Sequence, residues 1–267
     1  MLKDITLGQY YPSASALHAL DPRTKLVGTL VFMVSLFIVN SFGYALCTAF
    51  LICMIIASRV PFLYMVKGLK AIFVLLVFTA ALNLFLTAGE PIWQFGILKI
   101  SKEGLNTAVS MAVRLVYLVL GASLMTLTTT PNKLTDGLES LLGPLTKIKV
   151  PVHEIAMMMS IALRFIPILT EETDRIMKAQ MARGADFESG KLMQRIKALI
   201  PVLVPMFVAA FRRANDLALA MEARCYRGGA GRTHMKPLKY TQRDIAAYIV
   251  MFAYLGVIIF LRVVFGW

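Results

Sequence analysis

The chain has 267 residues, 58% of them apolar, and 28 Lys and Arg against 15 Asp and Glu, a formal net charge of +13. Soluble domains are usually about 45–50% apolar, and a mean hydropathy of +0.71 excludes an ordinary soluble domain. The surplus of cations is therefore read as the basic cytoplasmic loops of a membrane protein and not as a nucleic-acid surface.

Residues 1–25 form a polar arm with Tyr10-Tyr11-Pro12 and Asp21-Pro22-Arg23-Thr24-Lys25. Lacking a long apolar core, the arm is not expected to be a cleaved signal peptide. Asp21 is placed to cap a helix whose first turn holds Pro22, where a missing N–H costs nothing. Apolar runs follow at 26–39 and 44–57, separated by Asn40-Ser41-Phe42-Gly43. A basic connector with Arg59, Lys67 and Lys70 leads into a third span over 71–86, ended by Gly89-Glu90-Pro91. Residues 92–103 read as a mixed loop, with Trp93 and Phe95 suited to a membrane interface. A fourth span covers 105–128 and is stopped by Pro131; a fifth covers 245–264. Some runs fall short of the roughly 20 residues a span needs, so flanking small and polar residues are expected inside the lipid.

Residues 131–243 hold 18 Lys and Arg against 10 Asp and Glu, a net of +8. Their apolar patches at 155–169 and 199–210 are short or interrupted by Pro167, Pro201 and Pro205. They predict a helical domain at the inner membrane face. The expected division is an arm with four spans over 1–130, that domain over 131–243, and a last span over 244–267. By the positive-inside rule the N-terminus and 131–243 face the cytoplasm.

Within that domain one short pattern occurs twice, 41 positions apart: Gln180-Met181-Ala182-Arg183-Gly184 and Met221-Glu222-Ala223-Arg224-Cys225. Residues 170–183 carry Glu171, Glu172 and Asp174 early and Lys178 and Arg183 late, an order that suits a helix dipole. Gly184 is a natural residue to end that helix in the left-handed conformation. Residues 211–224 carry an apolar stripe at Phe211, Ala214, Ala218 and Met221. There the end is open: Cys225 stands where the first copy has glycine, and Gly228 or Gly229 can close the helix instead. One such arginine would only complement its helix dipole. Two at matched positions leave both readings open: dipole complementation at each end, or docking, for which the planar guanidinium is apt.

Other chemistry is thin. Gly184 to Gly190-Lys191 has the wrong spacing for a phosphate-binding loop, and Leu192 replaces its Ser or Thr. His153-Glu154 lacks the second His of a metalloprotease helix. Cys47, Cys53 and Cys225 have neither disulfide-framework nor zinc spacing. Met157, Met158 and Met159 make either a pliable contact surface or ordinary packing. Arg114 in the fourth span is either functional or a snorkelling cation.

The order of Asp21-Pro22-Arg23-Thr24-Lys25, Leu127-Thr128-Thr129-Thr130-Pro131, Arg164-Phe165-Ile166-Pro167, Ala182-Arg183-Gly184 and Glu222-Ala223-Arg224 resembles EcfT. This is the transmembrane coupling family of energy-coupling factor (ECF) transporters, which belong to the ABC class. The resemblance covers nearly the whole chain. It implies an all-α integral membrane protein with about five transmembrane helices and a cytoplasmic-side coupling domain bearing two arginine-tipped helices. It further implies a non-catalytic subunit of a prokaryotic cell membrane, without a cofactor of its own. Expected partners are a pair of EcfA-type ATPases, small substrate-binding S subunits and membrane lipid, with no nucleic acid. Ala182, Arg183 and Gly184, and Ala223, Arg224 and Cys225, become the ATPase-docking motifs of a vitamin or micronutrient importer. The alternatives are an ABC permease with its own substrate path, and an integral-membrane enzyme. The first would carry a different coupling loop, and the second a cluster of acids, His or Cys.

Overall fold

The structure, a computed structural model, describes residues 10–39, 43–87, 89, 91–95, 98–187, 192–229, 233 and 235–264. The break at 40–42, Glu90 and the Gly190-Lys191 pair lie outside the described residues. The protein is a helical membrane protein. Among the described residues, four helices are long and apolar enough to cross a bilayer, or five if one bent pair counts as a single span.

The first helix, α1 (Pro22–Ile38), starts as its sequence dictates. The Asp21 carboxylate accepts from the Arg23 N–H at 2.9 Å, and Pro22 occupies the first turn. α2 spans Gly43–Ser58 and α3 spans Phe62–Leu86; α3 bends by 62° between Phe62–Lys70 and Ile72–Leu86. At 17 and 16 residues, α1 and α2 reach only about 25 Å, short of a hydrocarbon core of roughly 30 Å.

The mixed loop expected after α3 is instead a two-stranded antiparallel hairpin, β1 (Pro91–Phe95) with β2 (Leu98–Ser101). Its register pairs Trp93 with Ile100 and Phe95 with Leu98. Apolar and polar residues alternate along Leu98-Lys99-Ile100, which is the period of a strand. Ser101 then caps α4 (Lys102–Thr128) by accepting from the Gly104 N–H at 2.9 Å.

After α4 come α5 (Pro131–Leu142), a 3-10 turn (Gly143–Ile148), α6 (Val152–Ala182), α7 (Leu192–Ala223) and α8 (Gln242–Val264). α6 and α7 run unbroken through Pro167, Pro201 and Pro205, so the expected broken patches are two long helices. A proline removes one donor and forces a bend, which a helix survives if the freed carbonyl finds another partner.

Cα packing divides the protein into two units. Of the described residues, one comprises those within 8–140 and 238–264, the other those within 141–237. In the first, α1 and α8 run parallel. Asp244 Oδ1 accepts from the Asp21 N–H at 2.8 Å, the Ser35 and Tyr254 hydroxyls meet at 2.9 Å, and Arg262 donates to the Ile38 carbonyl at 3.2 Å. α4 crosses α1 where Gly121 faces Phe32; a Cβ there would lie 2.9 Å from the Phe32 ring. The core of this unit is built around buried Phe32, Leu36, Leu124, Leu127 and Ile258, with Phe50 stacked on Tyr254 at 4.1 Å between centroids.

Candidate functional site: two matched helix ends

The two Ala-Arg motifs lie in the second unit, at the ends of α6 and α7. At the end of α6 the Gly184 N–H donates to the Met181 carbonyl at 2.9 Å and the Ala185 N–H to that of Gln180 at 3.0 Å. Gly184 has φ +89°. At the end of α7 the Cys225 N–H donates to the Glu222 carbonyl at 2.8 Å and the Tyr226 N–H to that of Met221 at 3.0 Å. Cys225 has φ +56°. Both ends are therefore Schellman closures with the same pair of bonds, and each arginine is the cap residue just outside the last helical turn.

This resolves the open end of α7. Cys225, and not Gly228 or Gly229, takes the left-handed position that Gly184 takes in the first copy. A residue with a Cβ is disfavoured there, so the second motif keeps its geometry at some cost in stability. Ala182, Arg183, Gly184, Ala223, Arg224 and Cys225 are all exposed.

α6 and α7 pack antiparallel. The Gln180 amide donates to the Pro201 carbonyl at 3.2 Å, and the Thr173 hydroxyl meets the Met206 sulfur at 3.2 Å. An Arg213–Glu172 ion pair at 2.9 Å adds a third contact. Further along, a Cβ on Gly229 would lie 2.5 Å from the His153 ring, so the segment after α7 returns against the start of α6. These pairings place Arg224 beside the first turns of α6, while Arg183 stands at its last turn. With a rise of 1.5 Å per residue, the two arginines are about 40 Å apart along the path of the helix. The repeat thus puts one arginine at each end of an antiparallel pair.

The Gln180 contact has a local cause. In an α-helix the Pro201 carbonyl would accept from residue 205, but Pro205 has no N–H. Gln180, three residues before Arg183, supplies the missing donor from the neighbouring helix. The side-chain amide thereby ties the tip of α6 to the proline segment of α7. Sequence reasoning missed this because it needs two elements in register. The Pro201-x-x-x-Pro205 spacing was the available signal.

Around the start of α8 lies a second feature the sequence reading passed over. Asp244 is 1% exposed; its Oδ2 accepts from the Thr241 N–H at 2.8 Å and the Thr241 hydroxyl at 2.7 Å, while Oδ1 holds the start of α1. Thr241-Gln242-Arg243-Asp244 has the spacing of a capping box. In the same unit, His18 accepts at Nδ1 from the Ser15 hydroxyl at 2.6 Å and pairs through Nε2 with the Tyr11 carbonyl at 3.0 Å. A carbonyl only accepts, so Nε2 carries the proton. Burial, opposed by the Tyr11 bond and assisted by Lys25, lowers the His18 pKa below 6.5.

Of the remaining candidates, Arg114 is half-buried with its guanidinium 5.2 Å from the Phe37 ring centroid. Met158 and Met159 are exposed on α6. No group of three or more His, Cys, Asp or Glu able to hold a metal ion occurs among the described residues.

Comparison with known proteins agrees in kind. Residues 13–235 match the family model CbiQ, described as cobalt transport protein. A protein of Clostridium kluyveri named energy-coupling factor transporter transmembrane protein EcfT is 55% identical, with all of both chains covered. Proteins of the same name from Ruminiclostridium cellulolyticum (51% identical, 99% of this chain and all of the relative) and Bacillus subtilis (48%, 98% and all of the relative) are also similar.

Proposed function

Because the chain belongs to the EcfT family of energy-coupling factor transporter transmembrane proteins, we propose that Arg183 and Arg224 are the two points through which soluble ATPases move this subunit. The observation that carries the reading is the identity of the two helix closures, including the left-handed Cys225 that imitates glycine. A non-glycine residue held at positive φ is a departure from local preference, and it yields the same arginine presentation at both ends. Each guanidinium is exposed and pre-positioned by a fixed closure, so it can make bidentate bonds to a carboxylate with little further ordering.

The separation of the arginines supports one contact on each of two ATPase subunits. Bringing those subunits together on ATP would apply force at both ends of the α6–α7 pair at once. The tie between Gln180 and Pro201 and the Arg213–Glu172 pair would let the helices move as one piece. That movement would reach an S subunit in the membrane and release its vitamin or micronutrient. In this reading the chain hydrolyses nothing and does not select the substrate.

A second arrangement is favoured by one observation: α6 and α7 are each long and apolar enough to span a bilayer. An antiparallel pair that crossed would put Arg183 and Arg224 on opposite membrane faces, where a soluble partner could reach only one. Docking of both requires the pair to lie along the cytoplasmic surface, and the net +8 of residues 131–243 favours that side. Reversal of charge in Arg183→Glu with Arg224→Glu, in cells that also make the ATPase and S subunits, tests the docking. The ATPases are expected to be lost from the purified complex and uptake to cease. Retention of both would overturn the proposal.

A further inference from the structure

A cavity of about 370 Å³ lies within the unit formed by 8–140 and 238–264, bounded by α1, α2, α4 and α8. Its size is within the roughly 300–1,000 Å³ of pockets that hold small ligands. α1 contributes Lys25, Gly28 and Phe32, which share one helix face; α4 contributes Gly121, and α8 contributes Arg243 and Ala247.

The cavity is polarised along its length. Asp244 bonds the Asp21 N–H, so α1 and α8 begin at the same end, where Lys25 and Arg243 both line the cavity. The Asp21 and Asp244 carboxylates and the Lys133 amine also act on Lys25 there. Phe32 and Gly121 lie about 10 Å deeper, seven residues of helix further along. The Lys25 amine donates to the Thr128 carbonyl at 2.9 Å and the His18 carbonyl at 3.4 Å, which takes two of its three donors. Arg243 is exposed and so marks where the cavity reaches the surface. Val250, two turns along the same face of α8, lines the cavity and is 56% exposed.

We propose that this cavity takes one acyl chain of an anionic phospholipid, with the lipid phosphate held by Arg243 and Lys25. An apolar space that opens on a membrane helix is solvated by lipid tails, because water gains no partners there. The cations at the surface end match a phosphate, for which guanidinium is the preferred group. Arg243 stands at the start of α8, which is long and apolar enough to cross a bilayer, and the end of such a helix meets the headgroup layer. The inference does not depend on the docking arginines: it concerns a different unit and a lipid, not a protein partner.

The test is native mass spectrometry of the purified protein released from nanodiscs of phosphatidylglycerol or of phosphatidylcholine. The wild type is expected to retain one phosphatidylglycerol at least five times as often as one phosphatidylcholine. Arg243→Gln should abolish that preference. Ala247→Phe should fill the cavity and lose the retained lipid, while Ala253→Phe, on an exposed part of α8, should keep it. Arg243 is exposed, so Arg243→Gln removes the charge without filling the cavity and reports even if Ala247→Phe fails to fold. Equal retention of the two lipids by the wild type, or unchanged retention in Arg243→Gln, would overturn the proposal.

Discussion

Replacing Gln180 with alanine isolates the bond that ties the first arginine tip to α7. The Pro201 carbonyl lacks its usual i+4 donor because Pro205 has no N–H, so Gln180→Ala removes the donor that replaces it. The Pro201 residue is exposed, which removes the penalty of a buried orphan and leaves a net cost of about 0.5–1.5 kcal/mol. That corresponds to roughly 2- to 12-fold faster local opening. Pro205→Ala supplies the missing N–H and also relieves a helix interior of proline, worth about 3 kcal/mol in intrinsic propensity. In that background Gln180→Ala should cost close to nothing. The four proteins form a double-mutant cycle, and the readout is hydrogen exchange of the amides at 181–185 in the purified protein. An equal acceleration by Gln180→Ala in both backgrounds would refute the argument, since the bond would then owe nothing to the proline.

Further outcomes follow from the same geometry. Cys225→Gly should stabilise the end of α7 by about 1 kcal/mol and Gly184→Ala should destabilise the end of α6 by a similar amount; exchange at the Tyr226 and Ala185 amides reports each. Asp244→Ala leaves the Asp21 and Thr241 N–H groups without their buried acceptor and should cost about 3 kcal/mol or more, seen as a lowered melting temperature in detergent, whereas no shift would deny Asp244 its place joining α1 to α8. His18 has its pKa lowered by burial, so the folded state holds fewer protons than the unfolded state just below 6.5. Stability should be full above that value and fall as pH drops through the window beneath it. His18→Gln should flatten this part of the profile.

The legible parts of the sequence were those whose signal is local. Asp21-Pro22 announces a capped helix start, and Gly184 after an acid-first, base-last segment announces a helix end. The apolar stretches of α4 and α8 are long enough to stand alone as spans. Prolines misled, because a Pro inside a helix costs one bond that Thr, Gln or another helix can replace, and only the fold shows whether it is replaced. The hairpin after α3 was missed because nine residues hold too few periods to reveal alternation. Cys225 could not be settled from residue type, since cysteine has no preference for the left-handed region and the match with Gly184 appears only in the hydrogen bonds. Thr241 and Asp244 carried a capping-box signal that was there to be read. Their larger role, in which one carboxylate starts two helices 223 positions apart in sequence, is tertiary.

The docking account stands on both arginine tips facing the cytoplasm, and thiol accessibility measures that directly. Cys225 is exposed and reports the second tip in a Cys53→Ala protein; Ala185→Cys with Cys225→Gly reports the first. Cys47 is fully buried and stays silent. A membrane-impermeant maleimide should leave both positions unlabelled in intact cells and label both in inverted vesicles. Labelling of one alone from outside the cell would mean that α6 and α7 cross the membrane, and labelling of both that the pair lies outside; in either case the two arginines cannot serve a common cytoplasmic partner.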